Sequence, residues 1–151
     1  MKEKKQSHSS IVAIVHFVIG GFIIPLIGYG LLYFALLALF PGIFEQNGDG
    51  LLFVAIAWVV SIGLLIAGVI YSSDYIAEKY VIKDTHLVVI RSTYYFALLA
   101  LAGIILGMVL DNPLTVVERI IDGGASIINV GVFYYVSKRF LPKAVLKHTQ
   151  K

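Results

Sequence analysis

Five polar residues of the C-terminal third have a spacing that could support chemistry inside a membrane. Glu118 and Asp122 are four residues apart, Ser126 lies four further on, and Asn129 follows three later. On an α-helix these intervals place the four side chains in one continuous stripe, and Arg119 comes within reach of Asp122. Carboxylates, a guanidinium and an amide in an apolar stretch are candidates for pairing, ligand binding or proton transfer.

The depth of this stripe decides which chemistry is open to it. Asp122 lies about 12 Å along the helix from Leu114, which puts it below the outer headgroups. Charges at that depth cost several kcal/mol and rarely face lipid, so we expect the stripe to face other helices or water. The favoured interpretation is an ion pair of Arg119 with Asp122 or Glu118 that fixes helix register. The alternatives are a polar cavity open to the outside, holding a small ligand, ion or lipid headgroup, and a proton or ion relay.

The helices that carry these polar residues can be predicted from the hydropathy of the sequence. The 151 residues are 59% hydrophobic, with a mean hydropathy of +0.90, whereas soluble domains have about 45–50% apolar residues. The apolar residues form blocks that reach the length of about 20 residues needed for a helix to cross a bilayer. The sequence therefore predicts an all-α, integral membrane four-helix bundle as a single domain, with spans at residues 11–40, 51–71, 92–110 and 114–137.

Polar segments flank these spans. Residues 1–10 precede an apolar block too long for a signal-peptide core, so we expect a retained first span. Residues 72–91 carry balanced charge and are expected to form an amphipathic connector on the membrane surface. A helical extension of the second span and a short hairpin around Lys83 and Asp84 are the alternatives. Residues 138–151 are interpreted as a basic C-terminal tail.

Charge is distributed unequally between the segments outside the spans. Every basic residue except Arg119 lies in the N-terminal segment, the connector or the tail, whereas the other two turns carry Glu45, Asp49 and Asp111. Because basic residues concentrate in cytoplasmic segments, we expect both termini in the cytoplasm. The same rule accounts for the pI of about 9.1 without a nucleic-acid partner.

Small residues are the predicted helix-packing contacts, because lipid is as apolar as leucine and helices associate through close approach and polar contacts. Gly103 and Gly107 share one face of the third span, and Gly123 and Gly124 begin a small-residue run in the fourth. We expect these faces to meet within the chain, with a homodimer face as the alternative.

Two further residues of the first span are singled out. Pro25 removes a backbone donor inside an apolar helix, so the sequence predicts a kink there. His16 lies near the cytoplasmic end of the span and is expected to make a polar contact to another helix rather than to bind a ligand.

Several kinds of chemistry are absent from the sequence. The chain has no cysteine, which excludes disulfides and thiolate metal sites. Its histidines are scattered at positions 8, 16, 86 and 148, so no pair has the spacing of a haem or zinc site. No acidic residue of another span is available to pair with Glu118 or Asp122, which argues against an intramembrane aspartyl protease. We expect no catalytic residues, no metal site and no cofactor.

Two stretches carry a family resemblance. "GGFIIPLIG" (Gly20–Gly28) and "YYVSKR" (Tyr134–Arg139) resemble the first-span and last-span patterns of an uncharacterised family of small four-span bacterial inner-membrane proteins. The resemblance implies a four-helix fold in the bacterial inner membrane and no assigned activity.

These observations predict a non-enzymatic role. We expect a small subunit or accessory module of a larger membrane assembly, whose partners are the lipid bilayer and another membrane protein or further copies of itself. One alternative is a small oligomeric transporter or channel with a polar cavity lined by the fourth span. A second is an immunity protein against a membrane-active toxin.

Overall fold

Four α-helices make up the described part of the chain. The computed structural model describes the backbone of residues 2–39, 50–109 and 116–150, and the side chains of residues 11–28, 30–32, 34–35, 38, 56, 58–106, 108–109 and 123–150. The helices are α1 (Lys2–Leu39), α2 (Gly50–Lys79), α3 (Thr85–Val109) and α4 (Val116–Thr149). The predicted all-α class is confirmed.

Three of the helices are long and apolar enough to cross a membrane. The candidate spans are Ile11–Leu32, Trp58–Lys79 and Thr85–Leu106, each of 22 residues. They support the membrane-protein class. α4 is not among the candidate spans found over the described residues. The fourth crossing and the orientation of the termini stay predictions.

The connector between the second and third spans is shorter than predicted. α2 continues to Lys79 and α3 begins at Thr85, so only residues 80–84 link them. The structure therefore has the helical extension of the second span, and residues 72–91 form no hairpin. A location on the membrane surface stays a prediction. α2 extends because its last turns bury an internal face. The Asp84 carboxylate caps α3 by accepting the Leu87 N–H at 2.9 Å.

The basic C-terminal segment is helical rather than a tail. α4 includes Pro142 and ends only at Thr149, and Leu141 and Ala144 are buried. Those two residues give the segment an internal face that its charges obscure in the sequence. Pro25 likewise lies inside α1, which is helical on both sides of it, and a kink there stays a prediction.

The helices pack as a ring. α1 contacts α2 and α3, and α4 contacts α2 and α3. α1 and α2 run antiparallel, because Gly20 lies against Gly68 whereas Gly28 lies against Leu64. α2 and α4 run parallel, with Ile70 and Asp74 alongside residues 140–147.

The buried core occupies one end of this ring. Among the side chains that the structure describes, every buried one belongs to residues 13–21, 65–96 or 133–144, which we call the packed end. Residues 22–35, 56–64, 97–109 and 123–132 form the open end, where none of the described side chains is buried. Each helix therefore has one half inside the core and one half outside it.

Phenylalanine rings join three helices at the centre of the packed end. Phe96 of α3 and Phe133 of α4 stack with centroids 4.5 Å apart and an interplanar angle of 11°. Phe17 of α1 tilts against Phe133 at 5.4 Å. Phe17 and Phe133 are fully buried. An aromatic pair contributes about 0.5–1.5 kcal/mol beyond its buried area, so this cluster stabilises the contacts of α4 with its neighbours.

Glycines bring α1 close to α2 and α4. A Cβ on Gly68 would lie 2.9 Å from the Gly20 carbonyl oxygen, and one on Gly20 would overlap the Ser72 hydroxyl. A Cβ on Gly21 would lie 2.5 Å from the Phe133 ring. The backbones approach here more closely than any larger residue allows.

The glycines predicted to pack do not make such approaches. A Cβ on Gly103, Gly123 or Gly124 would meet no atom within 4 Å, so the contact predicted between their faces is not found among the described residues. The physical reason is that all three lie in the open end. The side-chain surroundings of Gly107 lie outside the described residues, and the homodimer alternative stays a prediction.

Candidate functional site

The charged part of the predicted stripe lies at the start of α4. Glu118, Arg119 and Asp122 belong to this helix, and their side chains are outside the described residues. The ion pair, the outward-facing cavity and the relay therefore all stay predictions.

The uncharged part of the stripe turns toward the bundle. Ser126 and Asn129 are half-buried. Asn129 lies one helical turn before the fully buried Phe133, so it shares the inward face of α4. The Asn129 Oδ1 atom is buried and accepts no hydrogen bond. An acceptor in this condition costs about 1–3 kcal/mol.

A matching donor lies in α2. The Trp58 Nε1 atom is also buried without a hydrogen-bond partner. The parallel helices α2 and α4 meet at Asp74 and Lys147. Counting back from that contact at 1.5 Å per residue, Trp58 and Asn129 lie about 24 and 27 Å away, at nearly the same level. The open end thus holds a donor and an acceptor that no described residue satisfies.

Buried serines form a second polar feature, one turn from the phenylalanine cluster. Ser92 precedes Phe96 by four residues and Ser137 follows Phe133 by four, so both serines continue the faces on which these rings stack. Each is fully buried, and neither hydroxyl has a hydrogen-bond partner. These two serines were not among the residues predicted from the sequence. The available signal was a serine four residues from a phenylalanine in both helices.

His16 contacts α2 through its ring. Its Nδ1 donates to the Val12 carbonyl at 2.9 Å, within α1. The imidazole lies 5.9 Å from the Tyr75 ring and 5.8 Å from the Tyr80 ring, centroid to centroid. The expected inter-helix contact is therefore aromatic, and the hydrogen bond of this histidine stays in its own helix.

A cavity opens between α2 and α4 at the packed end. Its volume is about 120 Å³, and seven residues line it: Ile70, Ser73, Asp74, Phe140, Lys143, Ala144 and Lys147. Ser73 is buried, and its hydroxyl donates to the Val69 carbonyl at 2.7 Å. The cavity thus has an apolar floor and charged groups at its mouth.

One carboxylate faces a lysine and a histidine at this mouth. Asp74 Oδ1 lies 3.4 Å from Lys147 Nζ and 3.8 Å from His148 Nε2. These side chains are partly exposed, and such pairs contribute at most about 1 kcal/mol. Lys143 lies 5.9 Å above the Phe140 ring, and no described carboxylate is within 4.0 Å of it. The described residues include no group of three or more acidic or histidine side chains placed to hold a metal ion.

No family model, curated protein or solved structure matches this chain. The resemblance of Gly20–Gly28 and Tyr134–Arg139 to the four-span family stays a prediction. Function is therefore inferred from the chain's own residues.

Proposed function

We propose that this protein is a non-enzymatic module of a membrane assembly, and that its open end receives helices of another chain. The observation that carries the proposal is the division of the bundle. The packed end holds the whole described core, whereas the open end buries none of its described side chains. A bundle built in this way is anchored at one end and available for contact at the other.

Lipid can cover the exposed apolar side chains of the open end, but it cannot satisfy the polar atoms buried there. Exposed side chains such as Val109 (72%) and Ile127 (75%) suit acyl chains. Lipid offers no hydrogen bond to Asn129 or Trp58, because the hydrocarbon region lacks donors and acceptors. Helices in membranes satisfy such groups through polar contacts with each other. Asn129 and Trp58 lie inside this bundle at nearly the same level, so the contact that would satisfy them is one between α2 and α4, and the partner contact rests on the exposed face of α4.

One face of α4 in the open end suits a close helix contact. Gly124, Ile127 and Gly131 recur at intervals of three and four residues and are all exposed. A Cβ on either glycine would meet nothing within 4 Å. Small residues with free space let helix backbones approach each other in membranes. The partner is another membrane protein or a second copy of this chain.

The distribution of basic residues supports one orientation of the bundle in the membrane. Lys79, Lys83 and Lys138 lie at or beside the packed end, so the positive-inside rule places that end at the cytoplasmic face. α4 packs in parallel along α2 and has no charged residue between Asp122 and Lys138, which favours a fourth crossing. Both termini are then cytoplasmic, and the bacterial inner membrane follows from the resemblance.

Co-purification tests the partner contact. The full chain is extracted from its native membrane in mild detergent, alongside the double variant Gly124→Leu/Gly131→Leu. The matched control is Gly30→Leu/Gly63→Leu, whose sites are equally open but lie on α1 and α2. We expect a second chain at fixed stoichiometry with the wild type and the control, and its loss from the α4 variant. Equal behaviour of the two variants would contradict the proposal.

The second candidate is a small oligomeric transporter or channel, and the unpaired Asn129 and Trp58 atoms favour it. Its polar path would run along the stripe that begins at Glu118 and Asp122. Asp122→Asn separates the candidates in liposomes. Loss of an ion or solute flux with intact partner binding supports transport, whereas a lowered melting temperature alone supports a structural ion pair.

A further inference from the structure

We infer that the cavity between α2 and α4 binds the phosphate of an anionic phospholipid headgroup. This site goes beyond the proposed function, since it needs the chain to lie in a membrane but does not depend on any protein partner. Three observations carry it: the level of the cavity, its charge and its shape.

The cavity lies close to the headgroup region of one leaflet. The candidate span of α2 runs from Trp58 to Lys79, and Asp74 at the cavity mouth is close to its end. A helix of that span is about 33 Å long, slightly more than the hydrocarbon thickness of about 30 Å. Asp74 is about 8 Å inside the end of the span, so the long lysine side chains at the cavity extend outward to reach the polar region of the leaflet.

The charge at the cavity favours an anion. Lys143 and Lys147 both line it, and His148 adds a third nitrogen beside Asp74. Asp74 offsets one of the two lysine charges. Lys143 has no described carboxylate within 4.0 Å, so its ammonium group remains available. Basic pockets between membrane helices at the cytoplasmic side bind anionic headgroups in this way.

The cavity combines charged groups with apolar walls, as a phospholipid requires. Ile70 and Phe140 give the cavity apolar walls, and its volume of about 120 Å³ exceeds the space that a single water needs by roughly tenfold. Next to the cavity on α2, Tyr71 is 66% exposed, as expected for an interfacial ring. A phosphate at the lysines would leave the glycerol and the acyl chains beside apolar surface.

Lipid titration of the purified full chain tests the site. The chain is held in a neutral detergent and titrated with phosphatidylglycerol, phosphatidylcholine or inorganic phosphate, and bound molecules are counted by native mass spectrometry. Lys143→Gln/Lys147→Gln removes the cavity charges. Lys138→Gln/Arg139→Gln is the control, because it removes the same charge from exposed positions of the same helix outside the cavity lining.

The expected results are specific to the cavity. Phosphatidylglycerol binds in preference to phosphatidylcholine, and its affinity falls by about thirtyfold in the cavity variant and by less than about threefold in the control. Asp74→Asn removes the competing carboxylate and raises the affinity by about fivefold. A variant whose melting temperature is unchanged but whose lipid affinity falls separates binding from folding.

Several results would overturn the inference. Equal losses in the cavity variant and the control would mean that the whole basic surface attracts the lipid. Absence of a preference over phosphatidylcholine, or weaker binding by Asp74→Asn, would also contradict the site. If inorganic phosphate displaces the lipid at similar concentrations, the cavity serves a soluble phosphate compound instead.

Discussion

The close approach of α1 and α2 at Gly20 and Gly68 gives a prediction in which the same substitution has different effects at two sites. Gly68 and Gly63 are five residues apart in α2. A Cβ on Gly68 would lie 2.9 Å from the Gly20 carbonyl oxygen and 3.3 Å from Ile24 Cβ, whereas one on Gly63 would meet nothing within 4 Å. The nearest obstacle at Gly68 is backbone, which cannot rotate away, so Gly68→Ala forces α1 and α2 apart.

The magnitudes follow from these contacts. Replacing a helical glycine by alanine stabilises by about 0.5–1 kcal/mol where space allows, and that gain applies to both sites. Overpacking costs typically about 1–3 kcal/mol and applies only to Gly68→Ala. We therefore expect Gly63→Ala to be more stable than the wild type and Gly68→Ala to be less stable than Gly63→Ala by about 1–3 kcal/mol.

Reversible unfolding of the two variants in detergent, followed by circular dichroism, measures this difference. Because both variants replace glycine by alanine, the gain in helix propensity is the same for both. The difference between their stabilities therefore reports the contact with α1. Equal stability of the two variants, or a more stable Gly68→Ala, would refute the close approach of Gly20 and Gly68.

Other predictions concern the buried hydroxyls, the aromatic stack and the α3 cap. Ser92→Ala and Ser137→Ala each remove a buried hydroxyl without a partner. Unfolding in detergent should therefore show unchanged stability or a gain of up to about 1 kcal/mol. Clear destabilisation would mean that the hydroxyls are hydrogen-bonded in the membrane. Phe96→Leu keeps an apolar side chain but loses the ring stacking on Phe133, and should cost about 0.5–1.5 kcal/mol in the same assay; an unchanged melting curve would count against the stack. Asp84→Ala removes the N-terminal cap of α3 and should lower the free energy of unfolding by about 1 kcal/mol. Amide hydrogen exchange should become faster only in the first turn of that helix. A uniform change in exchange along α3 would argue against a cap.

The helices could be predicted from the sequence because hydropathy and length alone define a membrane helix. Three candidate spans were found where apolar blocks predicted them. The extension of α2 to Lys79 was only an alternative and the extension of α4 to Thr149 was missed, because the charged residues of both segments masked an internal face that is visible only when neighbours pack against it.

The packing contacts were harder to predict. Gly103 and Gly20 look equivalent in the sequence, since each is a small residue in an apolar helix. Only the arrangement of helices decides that Gly20 contacts α2 while Gly103 lies in open space. The cavity at Asp74 and Lys147 was missed for a similar reason. These residues are 73 positions apart, and their meeting depends on the parallel packing of α2 against α4.

Site-specific cross-linking tests the central proposal most directly, namely that the open end of α4 contacts another chain. The chain has no cysteine, so Gly131→Cys and Gly30→Cys each introduce a single thiol, on α4 and α1 respectively. A short thiol-reactive cross-linker is applied to native membranes. We predict that Gly131→Cys yields a discrete cross-linked product with a second chain and that Gly30→Cys does not. The account would be contradicted if Gly131→Cys gave no cross-linked product although a lipid-soluble maleimide labelled both thiols equally.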